Sequence, residues 1–169
     1  TRLPDKVLAD IAGRPMIVQV LDRAREADVG PVAVACDDAE VAAVVREAGG
    51  TAVMTRTDHP SGSDRIEEAL GRLDPDRRHD AVVNVQGDLP TIEPESVRAA
   101  LAALADPDVA IGTLVAEIRS AAERDADHVV KAAVAFEGGR RVARALYFSR
   151  RPVPWGDGPH WHHIGLYAY

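Results

Sequence analysis

A doubly wound α/β domain is what the 169 residues predict, with a mostly parallel central sheet, helices on both faces and an antiparallel β appendage. Three observations carry that expectation. Up to Ile118, short apolar runs alternate with amphipathic stretches of helical period, the pattern of successive βαβ units. From His128 the grammar changes, because two strand patterns flank Glu137, Gly138 and Gly139, a hairpin signal. Composition fits one domain over residues 1–169: 46% of residues are hydrophobic and 28% charged, without long charge blocks, so disordered and fibrous classes are excluded.

The elements follow in order. A Pro-fixed turn at residues 1–6 precedes a helix beginning near Met16. Residues 32–36 read as a buried strand, and Asp38 then opens a helix with Val41, Ala42, Val44, Val45 and Ala48 inward, ended by Gly49 and Gly50. Residues 52–55 form a short strand. A polar loop over 56–62 leads to a helix from about 64 to 73, with Ser63 or Asp64 available as N-cap, and Asp74, Pro75 and Asp76 break it. Residues 81–85 are the strongest strand pattern. Pro94 starts a helix to about residue 105 with Val97, Leu101 and Leu104 on one side, and 109–118 resumes the sheet. The hairpin strands are 129–136 and 142–148, and 164–169 supplies a last strand after a Pro- and Gly-rich stretch.

Charge narrows the partner. Twenty Lys plus Arg against 27 Asp plus Glu give a net charge of −7, which argues against a nucleic-acid binder and favours a small-molecule substrate. No apolar run approaches the roughly 18 residues of a membrane span. The single cysteine, Cys36, excludes an internal disulfide framework and suits a reducing cytoplasm. Only Lys6 and Lys131 are lysines among 20 basic residues, so each is a candidate point charge beside a phosphate. The chain opens at Thr1 without Met and ends at Tyr169 inside a strand pattern, and both ends are expected to be cut from a longer protein.

Several short segments carry chemistry. The strand at 81–85 runs into Gln86, Gly87 and Asp88, which places a carboxylate where open α/β sheets bind ligands; Asp88 offers the hard oxygen Mg²⁺ prefers, although Gly-Asp also suits a plain turn. Arg2 and Lys6 flank the Pro turn as a guanidinium fork and a point charge, a pair suited to phosphoryl groups or else a solvated terminal cluster. The loop His59-Pro-Ser-Gly-Ser-Asp-Arg65 enters a helix with exposed amides that suit an anion or the polar edge of a base, and helix capping alone also explains its serines. On a strand, His163, Gly165 and Tyr167 share one face, while His162 and His163 point oppositely, which disfavours a zinc site at His160, His162 and His163.

Taken together, Thr1-Arg-Leu-Pro-Asp-Lys6, the 59–65 loop, Asn84-Val-Gln-Gly-Asp88, Tyr147-Phe-Ser-Arg150 and His163-Ile-Gly-Leu-Tyr-Ala-Tyr169 resemble, in order, the 3-deoxy-manno-octulosonate (Kdo) cytidylyltransferases. That resemblance implies a Rossmann-like nucleotide-diphospho-sugar transferase fold and an Mg²⁺-dependent enzyme that couples CTP and Kdo to CMP-Kdo and pyrophosphate for lipopolysaccharide synthesis, cytoplasmic and homodimeric. Carried over by motif, Arg2, Lys6, Ser61, Gly62 and Arg65 bind CTP, Asp88 binds the metal, and Gln86, Arg150, His163 and Tyr167 face the sugar acid; Lys6 and Asp88 are the catalytic pair. Leu89 stands where the family commonly has Glu and Asp5 where it commonly has Gly. The family also implies a phosphate-binding stretch with an Arg before Thr1, and a C-terminal segment with a second metal-binding Asp. Alternatives are an acylneuraminate or other sugar-acid cytidylyltransferase and a catalytically silent nucleotide-binding domain.

Overall fold

The computed structural model describes residues 6–169. Its parallel pairing is made by β3 (Ala33–Cys36) and β4 (Thr51–Met54), with Val34 opposite Ala52 and Cys36 opposite Met54. Parallel neighbours need a crossover, and α2 (Ala39–Glu47) supplies it. Asp38 sets the start of α2, its carboxylate accepting from the backbone N–H groups of Glu40 and Val41. Gly49, at φ +72°, ends the turn that follows. Ahead of these elements, α1 (Met16–Glu26) packs Ile17, Val18 and Leu21 against Cys36, Val41, Ala42 and Val45 to form one core. Gly50 lies tight against it: a Cβ there would stand 2.7 Å from Leu21 Cδ2 and 2.8 Å from Val45 Cγ1.

A five-stranded sheet is organised around β9 (Trp161–Ala168). One edge of β9 carries β6 (Gly112–Glu117) along its whole length. The other edge is shared by β5 (Val83–Val85), opposite Leu166 to Ala168, and β7 (Lys131–Val134), opposite Trp161 and His162. Between those two partners, Ile164 and Gly165 face a break in the ladder. The sheet continues from β7 to β8 (Ala145–Ser149), the predicted hairpin with shorter strands. Above it, α4 (Pro94–Ala102) starts with Pro at its first turn and packs Val97 and Ala100 on Leu166 and Ala168, with Ile92 and Ala27, as a second core.

The α/β class is as expected, with parallel pairing at β3–β4 and antiparallel pairing at each of the strands bonded to β9. Some boundaries differ. Helix α3 (Gly62–Leu73) starts earlier than expected because Ser61, in extended conformation, is the N-cap and its Oγ accepts from the Asp64 N–H; Ser63 and Asp64 lie inside the first turn. A two-residue hairpin, β1 (Asp10–Ile11) with β2 (Arg14–Pro15), and a short helix α5 (Ala121–Asp125) had no recognisable period. Lys131 is no surface phosphate ligand. It is fully buried, its ammonium donating to the carbonyls of Ala126, Val129 and Arg150 at 2.8, 2.9 and 2.8 Å, which fills all three N–H groups.

Candidate active site

A cleft of about 2890 Å³ runs from α1 and β3 toward β5 and the face of β9, and Lys6, Ser61, Gly62, Arg65, Gln86, Asp88 and Tyr167 all line it. Sequence position separates these residues widely, so the fold is what collects them. His163 and Arg150 do not line that cleft, but Phe148, against which the His163 ring packs, does. Arg2 lies outside the described residues.

At the carboxyl end of β5 the Lys6 ammonium donates to Asp88 Oδ2 at 2.9 Å, joining residues 82 apart. The side chains are 47% and 39% exposed. An exposed pair of this kind contributes only about 0–1 kcal/mol, so phosphate or metal can replace either partner at little cost. Asp88 Oδ1 has no partner among the described residues. Gly87 lets the turn pass close to α1, since a Cβ there would be 3.2 Å from Ile17 Cδ1.

The 59–65 loop is pinned from below. His59 Nε2 bonds the Glu68 carboxylate, which also accepts from the Arg56 N–H; the His59 bond first, then that N–H, hold Glu68 below the usual carboxylate range. Arg65 donates to Thr55 Oγ1 and Asp37 Oδ2, both at 2.7 Å, and to the carbonyl of Arg56 at 3.2 Å. Its guanidinium thus anchors the loop to the ends of β3 and β4. Ser63 Oγ lies 2.7 Å from the Tyr169 hydroxyl, tying the first turn of α3 to the residue that follows β9.

Across the break in the β9 ladder, Gln86 lies flat on Gly165: a Cβ at 165 would be 2.7 Å from Gln86 Nε2. His163 and Tyr167 flank that glycine with ring centroids 5.5 Å apart, and Tyr167 stacks on Tyr169 at 6.3 Å. Phe148 meets His163 edge-on at 4.9 Å. Burial, then the neighbouring His162, lowers the proton affinity of His163; burial, then Tyr169, raises that of the Tyr167 phenol. Arg150 follows β8 and donates from Nη1 to the carbonyl of Asp127 at 3.0 Å, outside the cleft. The three nearby histidines serve separate partners: His160 meets the carbonyl of Pro154, His162 meets Glu123, and His163 meets Thr113.

Sequence reasoning missed Thr113, Asp37 and the His59–Glu68 pair. Thr113 stands mid-strand with no local signal, and only the contact of Asp37 with Arg65 across 28 residues shows the use of that carboxylate.

A cation and a carboxylate paired at a strand end, with a polar face alongside, suit a phosphorylated ligand at the usual site of an open α/β sheet, and nucleotidyltransferase is the class that known relatives give the chain. A family model described as cytidylyltransferase matches residues 1–159. The 3-deoxy-manno-octulosonate cytidylyltransferase of Rhodospirillum centenum is 64% identical over 169 residues, all of this chain and 66% of its own length. The protein of the same name from Paramagnetospirillum magneticum is 59% identical, again over 169 residues and 69% of its length. A solved structure of CMP:2-keto-3-deoxy-manno-octonic acid synthetase complexed with CTP matches with a TM-score of 0.87 at 40% identity, covering 100% of this chain and 68% of that one. The chain belongs to the cytidylyltransferase family. It spans about two thirds of the length of these relatives.

Proposed function

We propose that this chain carries the site at which CTP and Kdo are coupled to CMP-Kdo and pyrophosphate, in a cytoplasmic enzyme of lipopolysaccharide synthesis. The observation that carries the reading is the convergence of Lys6, Gln86, Asp88 and Tyr167 on one cleft, in a chain whose relatives bear that enzyme's name over every residue compared.

In this reading the anomeric hydroxyl oxygen of Kdo attacks the α-phosphorus of CTP. A new P–O bond forms, the bond to the bridging oxygen breaks, pyrophosphate leaves with the electron pair, and the proton of the attacking hydroxyl passes to solvent. Lys6 turns from Asp88 to the triphosphate and, with Arg2, holds its charge. The amides and hydroxyls of the loop that Arg65 anchors, at Ser61 and Gly62, lie near the cytidine. Gln86 and Tyr167 bond sugar hydroxyls, His163 joins them, and Arg150 leaves the Asp127 carbonyl for the sugar carboxylate. Catalysis is mainly positioning and charge neutralisation.

Asp88 fits Mg²⁺, because its exposed carboxylate has one oxygen in a weak ion pair and the other unpartnered among the described residues. Mg²⁺ commonly takes one or two carboxylates together with waters and substrate phosphates. When bound, the ion supplies neutralisation of the phosphate charge. An edge strand, β8, exposes Leu146 and Tyr147, an apolar border that supports a homodimer.

Kinetics of the full chain with CTP, Kdo and Mg²⁺ test the reading. Asp88→Asn is expected to lower kcat by at least about 10²-fold while the circular dichroism spectrum is unchanged. A folded Asp88→Asn protein with near-normal turnover contradicts it.

A further inference from the structure

The His163 ring has an unusually well-defined set of neighbours. Its Nε2 lies 2.9 Å from the Thr113 hydroxyl oxygen, and that same oxygen is 2.8 Å from the carbonyl oxygen of Leu166 and 3.3 Å from that of Ile164. The arrangement sits where the β6–β9 ladder shifts register between Thr113 and Leu114. A threonine hydroxyl has one proton, whereas a carbonyl oxygen only accepts. Two oxygens 2.8 Å apart need a proton between them, and the hydroxyl alone can supply it. That proton is therefore committed to the carbonyls of β9. Contact with the ring then holds only if the imidazole donates, so Nε2 carries the hydrogen.

A neutral imidazole protonated at Nε2 keeps Nδ1 as a bare acceptor. Among the described residues Nδ1 has no hydrogen-bond partner. The ring stands between Phe148 and Tyr167, and the titratable groups beside it are Tyr167 and His162, the latter bonded to Glu123. Burial keeps the ring uncharged near neutral pH.

We infer that Thr113 is a positioning residue that fixes His163 as the Nε2–H tautomer, so that Nδ1 accepts a hydrogen bond from a hydroxyl of the sugar acid. The substrate half of this inference rests on the reading in the preceding subsection; the tautomer does not. An acceptor at that point takes hydroxyl donors and repels carbonyl or carboxylate oxygens, which orients a molecule carrying both.

The test is ¹⁵N NMR of the His163 ring in the full chain at neutral pH, with the signals assigned by the His163→Gln variant. The expected spectrum shows a protonated Nε2 and an unprotonated Nδ1. Thr113→Val, which keeps the shape and removes the hydroxyl, should mix the tautomers and raise the Kdo KM about tenfold with the CTP KM unchanged. Thr113→Ser should restore both properties. A wild-type ring protonated at Nδ1 overturns the inference whatever the kinetics, and so does a Thr113→Val enzyme with a wild-type Kdo KM. Absence of any Kdo-dependent turnover in the wild type counts against the proposed function instead, and the wild-type spectrum still decides the tautomer.

Discussion

Arg150 holds a backbone carbonyl rather than a carboxylate, so in the proposed reading its guanidinium exchanges a neutral acceptor for a charged one on binding the sugar acid. Arg150→Ala is expected to cost about 1.5–3 kcal/mol in Kdo binding, seen as a Kdo KM raised at least tenfold, with the CTP KM little changed. Equal effects on both substrates would point to damage of the hairpin instead. His163 gives a pH dependence. Burial makes its charged form less favourable in the folded chain than in the unfolded one, where the ordinary value is 6.5. The folded state therefore binds its proton less well, and the stability the neutral ring contributes is complete above 6.5 and is lost as pH falls through the lower folded value. The Kdo KM should stay flat through pH 6.5 and rise only below it. A rise centred above that value contradicts the assignment. At this scale, motif residues such as Lys6, Asp88, Gln86 and Tyr167 were legible because their chemistry is written in residue type and order. Thr113 and the carbonyl cage of Lys131 were not, because their partners come from distant segments.

Two glycines show how elements divide structural from functional demands. At Gly165 an added Cβ meets the amide end of Gln86, a flexible tip that can swing away. Gly165→Ala should leave Tm nearly unchanged while raising the Kdo KM, because the displaced Gln86 loses its place on β9. At Gly50 the added Cβ meets Leu21, Val45 and the Val45 carbonyl oxygen at 2.9 Å, inside a packed core. Gly50→Ala should cost about 1–3 kcal/mol of stability, measured by urea unfolding, with both KM values intact in the folded fraction. The opposite pattern, a loss of stability at 165 and of substrate affinity at 50, would show that the site does not lie over β9. Element existence was readable from period and caps for α1, α2, α3 and α4. Their boundaries were less so: three residues near 61 can each cap a helix, and backbone conformation selects Ser61. The two-residue strands of the first hairpin are too short for any period to register.

Over the whole molecule, a net charge of −7 coexists with a cleft lined by Lys6, while the Arg65 guanidinium beside it is held by Thr55, Asp37 and the Arg56 carbonyl, so the proposed triphosphate site relies on a local cation rather than on the charge of the surface. The fold brings the end of β5, the loop ahead of α3 and Tyr167 of β9 together around that cleft, where the proposed reading seats nucleotide and sugar acid side by side. The sequence pattern announced the α/β alternation and the hairpin, but not that β9 would divide one edge between β5 and β7, since strand partners are chosen by tertiary packing. The most direct test of the proposed activity is product analysis by mass spectrometry after incubating the full chain with Mg²⁺, each of the four nucleoside triphosphates, and Kdo or N-acetylneuraminate. CMP-Kdo formed with equimolar pyrophosphate, from CTP and Kdo in strong preference to the other pairs, is the predicted result; equal turnover of N-acetylneuraminate, equal use of the four nucleotides, or no CMP-Kdo at all would contradict it.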